Sequence, residues 1–378
     1  MGTPPRSSLQ DIINLIKLSE MKKTGLLTIL LSVACLVANA ATDIPANDSR
    51  ISYSGRICWR DSLSPAFSYP GVSATLQFTG QSIAMKAKPG SGYFMVEIDN
   101  RLPFKINFTE SDSILTLAEG LPEGTHRLRV VYAIEGYDKK PEFRGFILPD
   151  GGTLETPPAK PNRRIEFIGN SITCGYGIEA ESEKDDFSYA TENHYYSYAA
   201  QTARNLNAEY VTVARSGYGV YRNYGGPIEG NPDCIPALYD RTLFYDPDVK
   251  WDFSEFRPDV VCVNLGTNDM SLNKCDTVRF EAAYRDFLSR LRAYYPEAKI
   301  VMLTGCLLTG EKLTTSCRIL DRIANDARKN GDENVFRFDM SPHDGTLGIG
   351  ADYHPSLRQS NKMADELTAF LRKITNWK

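Results

Sequence analysis

Histidine is scarce in this sequence, with four in 378 residues, and tryptophan scarcer, with three. Any chemistry that needs an imidazole must therefore draw on His126, His194, His343 or His354. Basic excess is also missing: 43 Lys and Arg stand against 47 Asp and Glu, net −4, with no basic run, so nucleic acid is excluded as a partner. The eight cysteines never fall as C-x-x-C and no H-E-x-x-H occurs, so neither a zinc site nor any other metal or cofactor is expected. A P-loop and a G-x-S-x-G elbow are absent too. Gly175-Tyr176-Gly177-Ile178-Glu179-Ala180 has the letters of a dinucleotide fingerprint, but the acidic Glu181, Glu183, Asp185 and Asp186 follow where an apolar helix should begin.

Long apolar runs are confined to Leu26 to Ala38, preceded by Lys22-Lys23 and followed by the small-x-small triplet Ala38-Asn39-Ala40. Residues 1–40 read as a cleavable signal peptide, with Met21 a second candidate start. The run is too short for a membrane span, so a secreted or periplasmic protein is expected. A lipoprotein anchored at Cys35 is disfavoured, because Ser32-Val33-Ala34 lacks the usual branched residue. Losing Cys35 leaves seven cysteines, an odd number that forces one unpaired thiol in a monomer. Cys262 and Cys306 read as packed small hydrophobes, whereas Cys174, Cys234, Cys275 and Cys317 sit where bridges are open to them.

Residues 41–150 show short alternating runs broken by turn residues: Ser73 to Phe78, Ser82 to Lys88, Tyr93 to Ile98, Phe104 to Phe108, Ser113 to Leu117, His126 to Ala133 and Phe143 to Leu148. That spacing predicts an all-β sandwich, of jelly-roll type. Residues 151–162, rich in Gly and Pro, read as a linker. From 163 to 378 strand-like runs alternate with helical ones at His194 to Leu206, Arg279 to Tyr295, Thr314 to Asn330 and Leu357 to Ile374, which predicts a doubly wound parallel α/β sheet.

The chemistry concentrates at strand ends. The apolar run from Ile165 stops at Gly169-Asn170-Ser171, delivering Ser171 to the edge where α/β sheets bind ligands. Tyr210 to Ala214 ends at Ser216-Gly217, and Val260 to Leu265 ends at Gly266-Thr267-Asn268-Asp269. The distal Asp352-Tyr353-His354-Pro355 supplies a histidine that proline holds away from helical geometry. Ser171 is the candidate nucleophile and His354 its base, since a hydroxyl needs a base within hydrogen-bond reach. Asp352 lies two residues before His354, on the same side if the segment is extended, and is the candidate orienting acid. Between Ser216 and Asp259 a long stretch rich in aromatics predicts a wall of the same crevice, with Tyr218, Tyr221 and Trp251 as candidate sugar-binding residues.

Serine, glycine, asparagine and histidine in this order resemble the SGNH, or GDSL-type, hydrolases. Gly169 to Gly177, Ser216-Gly217-Tyr218-Gly219-Val220, Trp251-Asp252-Phe253 and Asp352 to Ser356, behind a β-sandwich, look like carbohydrate esterase family two. The resemblance implies an oxyanion hole built from the amides of Ser171 and Gly217 and the side chain of Asn268. It also implies an acetylated polysaccharide or oligosaccharide as substrate, of xylan or glucomannan type. Two departures stand out: Ala351 occupies the position three before the histidine where many relatives carry the acid, and Asn170 stands where Asp is usual. Asp352 or a backbone carbonyl is left to orient His354. Two other outcomes are a glycan-binding protein with a vestigial site, and an SGNH esterase acting on a different acyl substrate.

Overall fold

The computed structural model describes residues 41–272 and 274–378. The expected signal peptide lies outside the described residues, and none of the described helices is long and apolar enough to cross a membrane. Residues Thr42–Lys378 form one compact unit.

Its first part is antiparallel. One sheet runs Thr42–Ile44, Phe143–Leu148, Ile83–Ala87, Ile114–Ala118; the other runs Leu154–Glu155, Ser73–Thr79, Thr125–Tyr132, Gly92–Ile98, Phe104–Phe108, with Ser52–Ser54 also on Ser73–Thr79. Alternation along the strands explains the pairing of the two sheets: Ala74, Leu76 and Phe78 point inward from one strand, while Ile83, Met85 and Ala87 point inward from another, all in one core. Leu154–Glu155 pairs with Ser73–Thr79 through Leu154 opposite Phe78, so the Gly/Pro-rich stretch contributes an edge strand.

The second part is a five-stranded, wholly parallel sheet in the order Ala208–Ala214, Arg163–Gly169, Val260–Asn264, Lys299–Thr304, Val335–Asp339. Odd and even residues of one strand face different cores, Val261 and Val263 towards one and Val260 and Cys262 towards the other. A parallel strand covered on both faces reads as a continuous apolar run, which is how these strands are written. Helices Thr277–Tyr294 and Gly310–Lys329 cover the first face; Tyr198–Asn205 and Leu357–Thr375 cover the second. Strand order reverses beside Arg163–Gly169, the switch point at which doubly wound sheets open a crevice.

Differences from the sequence reading are local. The pattern from His194 splits into a 3-10 turn, His194–Tyr196, and the helix Tyr198–Asn205, because Ser197 takes an extended conformation and caps the helix through Ala200 N–H. Within the aromatic stretch, a short helix Ile235–Leu238 and a hairpin of Arg241–Leu243 with Asp246–Lys250 appear. All seven described cysteines are free thiols.

Candidate active site

Ser171 is the first residue of a one-turn helix, Ser171–Cys174, directly after the strand Arg163–Gly169. Asn170 caps it, its Oδ1 accepting the Ile172 N–H at 3.1 Å. An oxygen is all that cap requires, so asparagine serves in place of aspartate. His354 stands two residues ahead of the helix Leu357–Thr375, which Ser356 caps through Gln359 N–H at 3.2 Å. Met363, Ala364, Leu367 and Leu371, at three and four spacing, bury that helix against the sheet and so fix where His354 enters.

His354 Nε2 lies 2.8 Å from Ser171 Oγ. Nδ1 faces two carbonyl oxygens, Ala351 at 3.2 Å and Asp352 at 3.1 Å. A carbonyl only accepts, so Nδ1 carries the proton and Nε2 is left bare to take the hydrogen of Ser171. The Asp352 carboxylate takes no part in this; it accepts the hydroxyl of Tyr176, whose ring stacks on His354 at 4.2 Å between centroids. The extended geometry that would have aimed Asp352 at the ring does not form. Asp352 and Tyr353 both have positive φ, 48° and 60°, inside a 3-10 turn, which points the carboxylate away and the carbonyl inward. This correction leaves Asp352 acting through its backbone. Such strained residues persist only where packing dictates them. Here the turn is seated on Gly177: Ala351 N–H donates to Gly177 O at 3.1 Å, and a Cβ at residue 177 would stand 2.4 Å from that of Ala351. The glycine letters that imitate a dinucleotide fingerprint therefore support the histidine turn.

Gly217 has φ +81°, a conformation that glycine adopts freely, and its N–H has no partner among the described residues. Gly219 is turned into its own loop, where a Cβ would meet Arg222 O at 2.1 Å, so Gly217 is the residue that faces the site. Asn268 Nδ2 donates to Tyr218 O at 2.8 Å, and the neighbouring buried Asp269 accepts the backbone N–H groups of Val220, Tyr221 and Arg222. Those bonds tie the glycine loop to the asparagine loop. Ser171, Ser216, Gly217, Asn268 and His354 together line a cleft of about 700 Å³.

The three aromatics expected to hold sugar are elsewhere. Tyr221 is 7% exposed and donates its hydroxyl towards Cys275, Trp251 lies over the Arg56 guanidinium, and Tyr218 packs on Arg215. Tyr221 and Tyr218 pack on the core beneath the loop. Tyr176, Tyr224 and Tyr353 line the cleft instead, the last two about 60% exposed. Tyr176 was within the stretch around Ser171, but no periodicity distinguishes a ring that stacks on a histidine. Among the described residues, Glu135, Cys174 and Glu192 bring possible metal-ligating atoms within 4.8 Å of one another, beneath this site.

Burial holds the His354 imidazolium below its ordinary pKa, opposed by the Ala351 and Asp352 carbonyls. A base whose proton is lost more readily stays neutral to lower pH. The acid limb of kcat/KM for ester hydrolysis is expected below pH 6.5, the ordinary histidine value; a limb above pH 7 would contradict this environment.

A parallel sheet of this order with a Ser/His pair beyond the strand at its switch point defines a GDSL-type acylhydrolase, and residues 167–369 match the GDSL-like Lipase/Acylhydrolase family. Residues 53–158 match Carbohydrate esterase 2 N-terminal. A family two carbohydrate esterase from Clostridium thermocellum, solved with cellohexaose, is 37% identical, with a TM-score of 0.81, and the match covers 87% of this chain and 100% of that one. The chain therefore belongs to the GDSL-like acylhydrolases and, within them, to carbohydrate esterase family two. Cellulase/esterase CelE of Acetivibrio thermocellus is 38% identical over 331 residues, 86% of this chain; the chain spans only 40% of that relative's length. An acetylxylan esterase / glucomannan deacetylase of Cellvibrio japonicus is 29% identical, covering 88% of this chain and 91% of its own.

Proposed function

We propose that the protein is an exported, metal-independent serine esterase that removes O-acetyl groups from a polysaccharide of xylan or glucomannan type. The observation that carries the reading is the 2.8 Å contact between Ser171 Oγ and a His354 Nε2 free to accept. Ser171 attacks the acetyl carbonyl as His354 takes its proton. The oxyanion forms against the N–H groups of Ser171 and Gly217 and the Asn268 side chain, and collapse returns the proton to the departing sugar oxygen. Water, activated by the same histidine, then releases acetate. The substrate class rests on the relatives, named as acetylxylan esterase / glucomannan deacetylase and solved with cellohexaose. Tyr224 and Tyr353 at the cleft rim offer exposed faces on which sugar rings stack.

The test is acetate release from acetylated xylan and acetylated glucomannan, with chelator present and with Ser171→Ala alongside. Release is expected to ignore the chelator, to vanish with Ser171→Ala at unchanged thermal midpoint, and to fall at least about tenfold from acetyl to butyryl esters. A folded protein that frees no acetate from either polymer or from an aryl acetate would overturn the reading. Carbohydrate affinity would then make it a binding protein, and faster release of longer acyl chains would make it an esterase of another substrate.

A further inference from the structure

Ser216, the residue before Gly217, is gripped by a carboxylate from the β-sandwich. Glu135 lies three residues beyond the strand Thr125–Tyr132; its Oε1 accepts the Ser216 N–H at 2.7 Å and its Oε2 accepts the Ser216 hydroxyl at 2.5 Å. Behind it, the fully buried Glu192 accepts the Glu135 N–H through Oε2 at 3.2 Å, while its Oε1 has no hydrogen-bond partner among the described residues. The fully buried thiol of Cys174, three residues after Ser171, closes the cluster. Among the described residues neither carboxylate has an ion pair. Burial and the neighbouring Glu135 push the Glu192 carboxyl well above the ordinary range. Glu135 thus holds Ser216 through both of its oxygens, and its own backbone is held by Glu192.

We propose that Glu135 is a positioning residue for the oxyanion donor at Gly217, reaching from the β-sandwich to hold Ser216 by its amide and its hydroxyl, with Glu192 holding the Glu135 backbone N–H behind it. The inference rests on the acyl-transfer reading, in which the Gly217 N–H meets the oxyanion. That N–H belongs to the peptide joining Ser216 to Gly217, so its direction follows from how Ser216 is held. Among the described residues nothing else binds it. Misplacing a reacting or stabilising group by about 1 Å costs about a hundredfold, comparable to deleting an oxyanion donor. The β-sandwich thereby enters the reaction although none of its residues lines the cleft around Ser171.

Glu135→Gln retains the volume and one acceptor oxygen but turns an NH2 group on the second Ser216 donor. On an aryl acetate kcat is expected to fall about 30- to 100-fold, with KM within about twofold of wild type. Ser216→Ala removes only the hydroxyl and should lower kcat about 3- to 10-fold. The double variant should be no slower than Glu135→Gln alone, since both changes loosen one grip. A kcat for Glu135→Gln within twofold of wild type, or a loss carried wholly by KM, overturns the proposal. If Glu135→Gln does not fold, Ser216→Ala decides, and an unchanged kcat overturns it. One equivalent of divalent cation in the purified protein, with kcat collapsing on chelation, would make the cluster a metal site and also overturn it. Ser171→Ala in the same assay separates the two levels: an inactive wild type, or activity that survives Ser171→Ala, sinks the acyl-transfer reading. A normal rate in Glu135→Gln beside a dead Ser171→Ala sinks only the positioning role.

Discussion

Replacing His354 by alanine is expected to lower kcat/KM for ester hydrolysis by about 10⁴-fold or more, leaving the residual catalysis that binding and oxyanion donors supply on their own. Asp352→Asn, by contrast, is expected to cost less than about tenfold. In a triad whose aspartate receives the histidine N–H, the same change costs about 10⁴-fold, because the wrong tautomer results. Here the Nδ1 proton is fixed by the carbonyls of Ala351 and Asp352, and asparagine keeps both. The carboxylate contributes only at a distance, favouring the imidazolium through its charge. Neutralising it should therefore move the acid limb of the pH profile further down, the direction expected when a nearby negative charge is removed. A loss near 10³-fold in Asp352→Asn, with the tyrosine contact as its only side-chain bond, would mean that the carboxylate swings to His354 during the reaction and that the machinery is a triad.

Much of this was legible in the sequence where local physics dominates. The apolar run ending at Gly169-Asn170-Ser171 announces a buried strand and a residue at its tip, and the proline after His354 announces a fixed loop; both arise from neighbours in the chain. The seven β-sandwich runs match observed strands to within a residue or so, because turn residues bound each of them closely in the chain. Elements that carry fewer local cues were missed, among them the strand Val335–Asp339, only one of whose five residues is buried. The aromatic stretch shows a second limit. Tyr221, Tyr239 and Phe244 are buried and Tyr224 is exposed, yet composition is the same for all of them, and only the position of the core decides. Asp352 illustrates a third: two consecutive residues at positive φ, neither a glycine, are imposed by packing on Gly177 and leave no mark in the sequence. Glu135 is the extreme, meeting Ser216 across 81 positions of chain through a contact that no local pattern encodes.

The largest expected loss of stability comes from a cation that the β-sandwich part of the chain inserts under the catalytic sheet. Arg56 is fully buried, its Nη2 3.0 Å from Glu166 Oε1 on the strand Arg163–Gly169 and its Nη1 bonded to the carbonyls of Tyr239 and Arg241. Aromatic rings surround it, Tyr239 at 4.9 Å and Trp251 at 5.2 Å from the guanidinium carbon. Arg56→Ala removes all of this and leaves Glu166 with the Tyr239 hydroxyl as its remaining side-chain partner, 2.5 Å away. Breaking one half of a buried pair typically costs about 3–5 kcal/mol, because the desolvated charge that stays behind is uncompensated. Chemical denaturation should show that loss, with a thermal midpoint lower by about 10 °C. Removing both charges, in Arg56→Met with Glu166→Leu, should recover much of it, since the penalty arises from the orphan rather than from the absent attraction. An Arg56→Ala loss under about 1 kcal/mol would mean that water reaches Glu166 once the guanidinium leaves. The sign of the double variant is the sharper measure: if it is no more stable than Arg56→Ala, the arginine acts through its packing and its bonds to the two carbonyls, not through its charge.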